Sequence, residues 1–342
     1  MEDQHFSLPP LPLESGATLE NATVAYRTWG QLNAAQDNVV WVCHALTANA
    51  DVLAWWPGLF GYDTLFDPAD WFIVCANMLG SCYGGTGPLS PNPATGQPYY
   101  QQFPLLTTRD LAAAHELLRQ ELGIAKIHTL IGGSMGGQQA LEWAVAQPEA
   151  FEHLVVIATN AQHSPWGIAF NEAQRLAIEA DPTYAMAESA QGGAAGLRAA
   201  RAVALLSYRG YEAYGYSQAE DDEELLTDFR ASAYQRYQGD KLVARFDAYS
   251  YVALSRTMDT HNVGRGQGGI EAALSQIQAK TLVLSLPSDI LFPVSEQQLL
   301  VRHIRGAMYG EVHSRFGHDG FLIETPQIAH LLERFYAPTF AH

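Results

Sequence analysis

Short apolar segments recur along the chain and alternate with segments that have helical spacing. The apolar segments are residues 39–46, 71–78, 127–131, 153–158 and 281–286. Strands covered on both faces have this uninterrupted pattern, as in a parallel sheet between layers of helices. Residues 107–122 show the clearest helical spacing, with Thr107 or Thr108 as N-cap and Gly123 as stop. The alternation predicts an α/β fold with a mostly parallel central sheet flanked by helices.

Two regions depart from this alternation. The first 30 residues predict paired antiparallel strands at the sheet edge, over residues 17–19 and 22–29. Between about residues 161 and 265 no comparable apolar run occurs. Helical spacing there predicts helices over residues 169–179, 195–208, 223–238 and 247–257, and the acidic run 219–224 predicts a solvated helix start.

This pattern divides the chain into three parts. Residues 1–160 and 266–342 are predicted to form the two parts of one core, and residues 161–265 an inserted helical lid. Open α/β sheets bind ligands at the carboxyl ends of their strands. We therefore expect the lid to cover that edge and to enclose a site between itself and the sheet.

Composition narrows the class of protein. The 342 residues include 36 Asp and Glu against 19 Lys and Arg, a net charge of -17. This balance opposes nucleic-acid binding and a polybasic membrane contact. The chain has no apolar run of about 18 residues and no signal-peptide pattern at its N-terminus, so we expect a cytoplasmic protein. The three cysteines are expected to be free thiols, and no His/Cys spacing predicts a metal site.

The strongest chemical signal is a G-x-S-x-G motif at residues 132–136. It follows the predicted strand 127–131 and precedes a helical segment at 138–146, which is the context of a nucleophile elbow. The turn is so tight that side chains at Gly132 and Gly136 would collide with neighbouring backbone, and the serine takes a strained conformation. Ser134 is therefore the candidate nucleophile.

A serine nucleophile needs a base that is oriented by an acid. In elbow folds the acid and then the histidine follow the serine in the chain. Asp289 comes just after the strand 281–286, and His318 follows a strand-like segment at 310–314 with glycine on each side of the His-Asp pair. Four other histidines lack that setting: His44, His163, His261 and His313. We therefore assign Ser134, Asp289 and His318 as a catalytic triad.

Serine addition places negative charge on the substrate carbonyl oxygen, which backbone N–H groups must stabilise. One donor in this fold follows the nucleophile, and the other lies in the loop after an early strand. These positions are Met135 and Leu46. His44 is expected to orient the loop that carries Leu46.

Together these residues resemble the homoserine O-acyltransferases of the α/β-hydrolase superfamily, and among them the homoserine O-acetyltransferases. The resemblance spans about residues 13–336. Six segments carry it: CHALT at 43–47, NMLGSCYGGTGP at 77–88, GGSMGGQQALEW at 132–143, ARAVALLSYR at 200–209, SDILFP at 288–293 and GHDGFL at 317–322. The usual motifs read HALTG and GHDAF, so Ala48 and Gly320 depart from them.

The resemblance implies an α/β-hydrolase fold and a ping-pong reaction. Acetyl-CoA acylates Ser134, and the side-chain hydroxyl of L-homoserine then takes the acetyl group, giving O-acetyl-L-homoserine for methionine biosynthesis. Acetyl-CoA is then a consumed donor, and no cofactor is retained. The resemblance also places Arg201 on the substrate carboxylate and Asp319 on its ammonium, with Tyr208 as a further contact, and it implies a homodimer formed through the lid.

Three alternatives remain at this stage. The first is a different donor or acceptor within the family, succinyl-CoA or serine. The second is a serine esterase or thioesterase, in which water replaces the acceptor. The third, a binding protein without activity, conflicts with the presence of all three triad residues.

Overall fold

The computed structural model describes residues 2–337 and contains a central eight-stranded sheet. Its strand order is β1-β4-β6-β5-β7-β8-β9-β10. The strands in chain order are β1 Gln4–Ser7, β2 Leu11–Pro12, β3 Thr18–Leu19, β4 Thr23–Trp29, β5 Val39–Cys43, β6 Phe72–Ala76, β7 Ile127–Gly133, β8 Phe151–Ile157, β9 Lys280–Ser285 and β10 Met308–Glu311. Strands β6, β5 and β7 to β10 are parallel, so the predicted α/β-hydrolase architecture is confirmed.

Helices lie on both faces of this sheet. They are α1 Val52–Trp55, α2 Thr108–Glu121, α3 Met135–Ala146, α4 Pro165–Glu179, α5 Pro182–Met186, α6 Ala194–Tyr208, α7 Tyr211–Gln218, α8 Arg230–Val243, α9 Ala248–Asp259, α10 Ile270–Leu274, α11 Val294–His303, α12 Gly320–Ile323 and α13 Thr325–Tyr336. On β5, Val39 and Trp41 face one apolar cluster, whereas Val40 and Val42 face the other. The continuous apolar pattern of the strands thus reflects burial on both faces. None of the helices in residues 2–337 combines the length and the apolarity needed to cross a bilayer.

The predicted strands and helices mostly overlap the observed ones. Thr107 is the N-cap of α2, where its side chain and that of Asp110 form a capping box. At the N-terminal edge, β4 pairs with β1 rather than with β3, and β3 pairs with β2 in a separate two-stranded sheet. The predicted pairing of residues 17–19 with 22–29 is therefore wrong, because the polar segment at β1 contributes the edge strand.

Helices α4 to α9 occupy the segment between β8 and β9, within the predicted lid. The predicted helix 223–238 instead begins at Arg230, and the acidic run before it is not a helix start. Asp228 has a positive φ of 61°, which breaks a helix, and the Arg230 guanidinium binds Asp221 and the carbonyl oxygen of Ala219. The three-part division at residues 160 and 265 stays a prediction, and its terminal residues 1 and 338–342 lie outside the described part.

Candidate active site

Ser134 occupies a sharp turn between β7 and α3. Its backbone has φ 56° and ψ -127°, a conformation that non-glycine residues rarely adopt. A Cβ at Gly132 would lie 2.3 Å from the carbonyl oxygen of Gly136, and one at Gly136 would lie 2.0 Å from that of Cys43. Both glycines are therefore required by close backbone approach, as the sequence predicts. The turn holds Ser134 at the carboxyl edge of the sheet.

Asp289 and His318, separated by 29 residues, meet at the same edge. The Nδ1 atom of His318 lies 2.6 Å from Oδ2 of Asp289. The other carboxylate oxygen, Oδ1, accepts backbone N–H bonds from Leu291 at 2.8 Å and Phe292 at 3.0 Å. Both side chains are buried. Asp289 is thus held by its own loop and fixes the protonated nitrogen of His318 as Nδ1, leaving Nε2 as the basic atom.

Packing fixes the plane of the His318 ring. Phe292 stacks on it with a centroid distance of 5.1 Å, and Phe321 meets it edge-on at 5.4 Å. Ser134 and His318 both line one cavity of about 390 Å³. Within the described residues no hydrogen bond joins Ser134 Oγ to the imidazole of His318. The three residues assigned as a triad therefore lie together at the carboxyl edge of the sheet.

The two backbone N–H groups assigned to the oxyanion hole lie in the loop after β5 and at the start of α3. Leu46 lines the cavity, and Met135 is the first residue of α3, where N–H groups lack helical acceptors. In residues 2–337 neither N–H donates a hydrogen bond to the protein. The positive end of the α3 dipole adds to the attraction for negative charge.

His44 fixes the loop that carries Leu46. Its Nδ1 lies 2.9 Å from the carbonyl oxygen of Ala45, and its Nε2 accepts the Met78 N–H at 3.2 Å. Burial lowers the pKa of His44 to about 4, so the ring is neutral near pH 7, as its acceptor nitrogen requires. His44 therefore positions the loop, as expected from the sequence.

The residues expected to bind the substrate's charged groups also line the cavity. The Arg201 guanidinium carbon lies 5.4 Å from the centroid of the Tyr208 ring, and among the described residues Arg201 has no carboxylate partner. Asp319 accepts a hydrogen bond from Arg209 Nε at 2.9 Å through Oδ2. Burial raises the pKa of the Tyr208 hydroxyl, which therefore stays protonated at neutral pH.

Comparison with known proteins identifies the family of the chain. The alpha/beta hydrolase fold family matches residues 38–324. A homoserine O-acetyltransferase of Cyclobacterium marinum is 50% identical over 326 residues, which cover 95% of this chain and 92% of that protein. The chain belongs to the homoserine O-acetyltransferase family. The cavity described above therefore lies in a member of a family of acyltransferases.

Solved structures show how widely the fold is shared. The homoserine O-acetyltransferase from Bacillus anthracis superposes with a TM-score of 0.90 at 24% identity, covering 99% of this chain and 98% of that one. Esterase E22 superposes with a TM-score of 0.89 at 23% identity, covering 98% and 99%. At these identities the likeness concerns the fold alone, and acyl transferases and esterases share it.

One departure from the usual homoserine O-acetyltransferase motifs has a structural reason. Gly320 stands where alanine is more common. A Cβ at Gly320 would lie 2.4 Å from Leu286 Cδ2 and 2.7 Å from Ser314 Cβ. The segment that follows His318 therefore packs closely against residues just after β9 and β10. Ala48, the other departure, lines the cavity without contributing a polar side chain.

Several residues in or beside the cavity were not identified from the sequence. Arg209, which pairs with Asp319, is the last residue of the ARAVALLSYR segment, so its place in that motif was an available signal. Thr47, Tyr83, Lys241 and Arg245 line the cavity itself, whereas Arg209 does not. Thr47 and Tyr83 lie within quoted motifs. Lys241 and Arg245 lie outside every motif, and only the packing of α8 brings them there.

One group of possible metal ligands occurs in the described part of the chain. A ring nitrogen each of His128 and His153 and a carboxylate oxygen of Glu152 all lie within 4.8 Å of one another. These residues are near the starts of β7 and β8. Ser134 follows the end of β7, so the group lies at the other end of the sheet from the cavity.

Proposed function

We propose that this protein transfers the acetyl group of acetyl-CoA to the side-chain hydroxyl of L-homoserine, giving O-acetyl-L-homoserine for methionine biosynthesis. The observation that carries the proposal is one cavity that combines Ser134 and His318 with the charged groups of Arg201 and Asp319. A plain esterase has no need of such charges, whereas an amino-acid acceptor is a zwitterion. Membership of the homoserine O-acetyltransferase family supports the same acceptor.

The first half-reaction acylates the serine. Ser134 Oγ attacks the thioester carbonyl carbon while His318 Nε2 takes its proton, and the carbonyl oxygen becomes an oxyanion between the N–H groups of Leu46 and Met135. The carbon–sulfur bond then breaks. His318 returns its proton to the departing sulfur, which leaves as CoA thiol. The acetyl group remains as an ester on Ser134.

The second half-reaction repeats these steps with a different nucleophile. The homoserine hydroxyl attacks the ester carbonyl carbon and gives its proton to His318 Nε2. The ester bond to Ser134 breaks, and His318 protonates Oγ. Asp289 stabilises the imidazolium that forms in each half-reaction. No cofactor is retained, because the donor is consumed.

Binding of the acceptor follows from the two charged groups. The Arg201 guanidinium presents a fork of N–H donors that matches the α-carboxylate. Asp319 uses Oδ2 for Arg209, so Oδ1 is the oxygen that accepts from the α-ammonium. Arg209 therefore fixes the carboxylate that receives the substrate. The Tyr208 hydroxyl adds a neutral contact beside Arg201.

Product analysis tests this proposal directly. Pure protein is incubated with acetyl-CoA or succinyl-CoA and with homoserine, serine or no acceptor, and CoA release and product mass are followed. We expect O-acetylhomoserine to predominate. CoA release at equal rates without any amino acid would identify a thioesterase, and a different product mass would identify another donor or acceptor.

The covalent step is tested on the protein itself. Acetyl-CoA without acceptor should add one acetyl group to the intact chain, visible by mass spectrometry. Ser134→Ala should abolish the adduct because it removes the attacking oxygen. An adduct that persists on this variant contradicts the assignment of Ser134.

We also propose a homodimer formed through the lid. Large aromatic side chains of α7 and α8 face solvent, with Tyr211 94%, Tyr216 67% and Tyr237 60% exposed. Aromatic side chains, tyrosine among them, are enriched at protein–protein interfaces. Light scattering should give twice the chain mass of 37.4 kDa, and Tyr211→Asp together with Tyr237→Asp should lower it. A wild-type mass of a single chain contradicts the dimer.

A further inference from the structure

Cations without carboxylate partners gather at the open end of the active-site cavity. Lys241, in the last turn of α8, and Arg245, just after that helix, both line the cavity and are exposed. Ser134 and His318 line the same cavity and are buried. The cavity therefore has a buried end, where the chemistry occurs, and a cationic mouth.

The mouth is cationic although the chain as a whole is acidic. The protein carries a net charge of -17 and only three lysines. Carboxylates pair with nine arginines in the described part of the chain: Arg27, Arg109, Arg119, Arg175, Arg198, Arg209, Arg230, Arg256 and Arg265. Within residues 2–337, Lys241 and Arg245 have no such partner. Asp319 is the one carboxylate among the cavity residues, and Arg209 pairs with it.

Arg245 is also held in place. Its Nη1 donates to the Tyr83 hydroxyl at 2.6 Å and to the carbonyl oxygen of Thr47. These acceptors carry no charge, so the guanidinium remains fully positive while its position is fixed. A preorganised, unneutralised cation at a cavity mouth attracts a polyanion and binds it with little loss of side-chain entropy.

We propose that Lys241 and Arg245 form a subsite for the phosphate groups of the acyl donor. This inference rests on the proposed function, in which the donor is a CoA thioester. CoA joins a long uncharged arm to a nucleotide that carries a pyrophosphate and a 3′-phosphate. The arm reaches inward to Ser134, and the phosphates remain at the mouth beside the two cations. The subsite thus selects nucleotide thioesters over simple acetyl esters and lets an acidic protein accept a polyanionic substrate.

Three donors separate the contributions of the individual phosphate groups to donor binding. Acetyl-CoA carries all the phosphates, acetyl-3′-dephospho-CoA lacks one, and acetylpantetheine lacks all of them. For each we measure kcat/KM with saturating homoserine. Lys241→Gln should lower the ratio of kcat/KM for acetyl-CoA to that for acetylpantetheine about five-fold, the upper range for one exposed ion pair. Lys241→Gln with Arg245→Gln should lower it about twenty-fold.

Two further comparisons exclude indirect effects. Arg236→Gln, which removes a charge from the exposed face of α8 outside the cavity, should leave the ratio unchanged. Arg245→Lys keeps the charge and should retain more of the ratio than Arg245→Gln, even if loss of the Thr47 contact slows all donors. Raising the salt concentration should lower kcat/KM for acetyl-CoA more than for acetylpantetheine, because salt screens exposed charges.

The outcomes distinguish this inference from the proposed function. If no thioester acylates Ser134, the proposed function fails. If acetyl transfer proceeds but both variants leave the donor ratio at the wild-type value, the proposed function stands and the phosphate subsite is refuted. If the variants lower kcat/KM relative to acetylpantetheine for acetyl-CoA but not for acetyl-3′-dephospho-CoA, the cations bind the 3′-phosphate. If the variants lower it equally for the two nucleotide donors, the cations bind the pyrophosphate.

Discussion

Replacing Asp289 with asparagine tests how the site controls the proton of His318. Oδ1 of Asp289 accepts two backbone N–H bonds, and Oδ2 accepts from His318 Nδ1. In Asp289→Asn the amide oxygen must take the place of Oδ1, because only an acceptor satisfies the two N–H groups. The amide NH2 group then faces His318 and donates to Nδ1. The imidazole proton moves to Nε2, which no longer accepts a proton from Ser134.

The expected effect on rate is large and that on stability is small. In a Ser-His-Asp triad the same exchange lowers kcat about 10⁴-fold, because the wrong tautomer predominates. The two backbone bonds survive, and one charge-assisted bond becomes a neutral one. A difference of about 1–2 kcal/mol in unfolding free energy is therefore expected. Asp289→Ala also strands the two backbone N–H groups, so it should destabilise the fold more.

The assay is stopped-flow release of CoA from acetyl-CoA, with circular dichroism melting of the same samples. Ser134→Ala gives the background rate, and Asp289→Ala is the comparison for stability. If Asp289→Asn retains more than a tenth of the wild-type acylation rate while remaining folded, Asp289 does not set the tautomer. The orienting role derived from the 2.6 Å contact would then be wrong.

Three further predictions concern the acceptor, the elbow and acid stability. Arg201→Ala should raise KM for homoserine about ten-fold or more, because it removes the charge-assisted bonds to the α-carboxylate. KM for acetyl-CoA should change little. Equal changes in the two KM values, measured by steady-state kinetics, would contradict the role of Arg201 in binding the acceptor. Gly136→Ala should lower the melting temperature by several degrees, because its Cβ would lie 2.0 Å from the Cys43 carbonyl oxygen; an unchanged melting curve would contradict this close approach. The hydrogen bond from Arg265 lowers the pKa of Glu14 below its ordinary 4.5. The stability that Glu14 contributes is therefore complete above pH 4.5 and is lost as the pH falls through the lower pKa of the folded state. The free energies of unfolding of wild type and Glu14→Gln, measured in urea, should therefore differ most at neutral pH and converge in acid.

Much of the architecture follows from local patterns. Five apolar runs became strands of the parallel sheet, since a strand buried on both faces admits few polar side chains. Thr107 and the glycines of the elbow could be placed because a cap or a tight turn depends on residues adjacent in the chain. The misplaced elements, at β1 and at residues 223–229, are polar segments. Their conformation depends on an edge partner and on ion pairs with Arg230, which periodicity does not encode.

For the candidate site, too, local sequence predicted some features, and the tertiary structure was needed for the others. The order of Ser134, Asp289 and His318 along the chain, with their flanking motifs, determined which residues to expect at the carboxyl edge of the sheet. Only the tertiary structure decided what surrounds them. Arg209 reaches Asp319 across 110 residues of chain, and Arg245 reaches Thr47 across 198. The charges of the cavity depend on how helices α6 and α8 pack against the rest of the chain. That packing is set by distant side chains, whereas turns and strands are set by covalent neighbours.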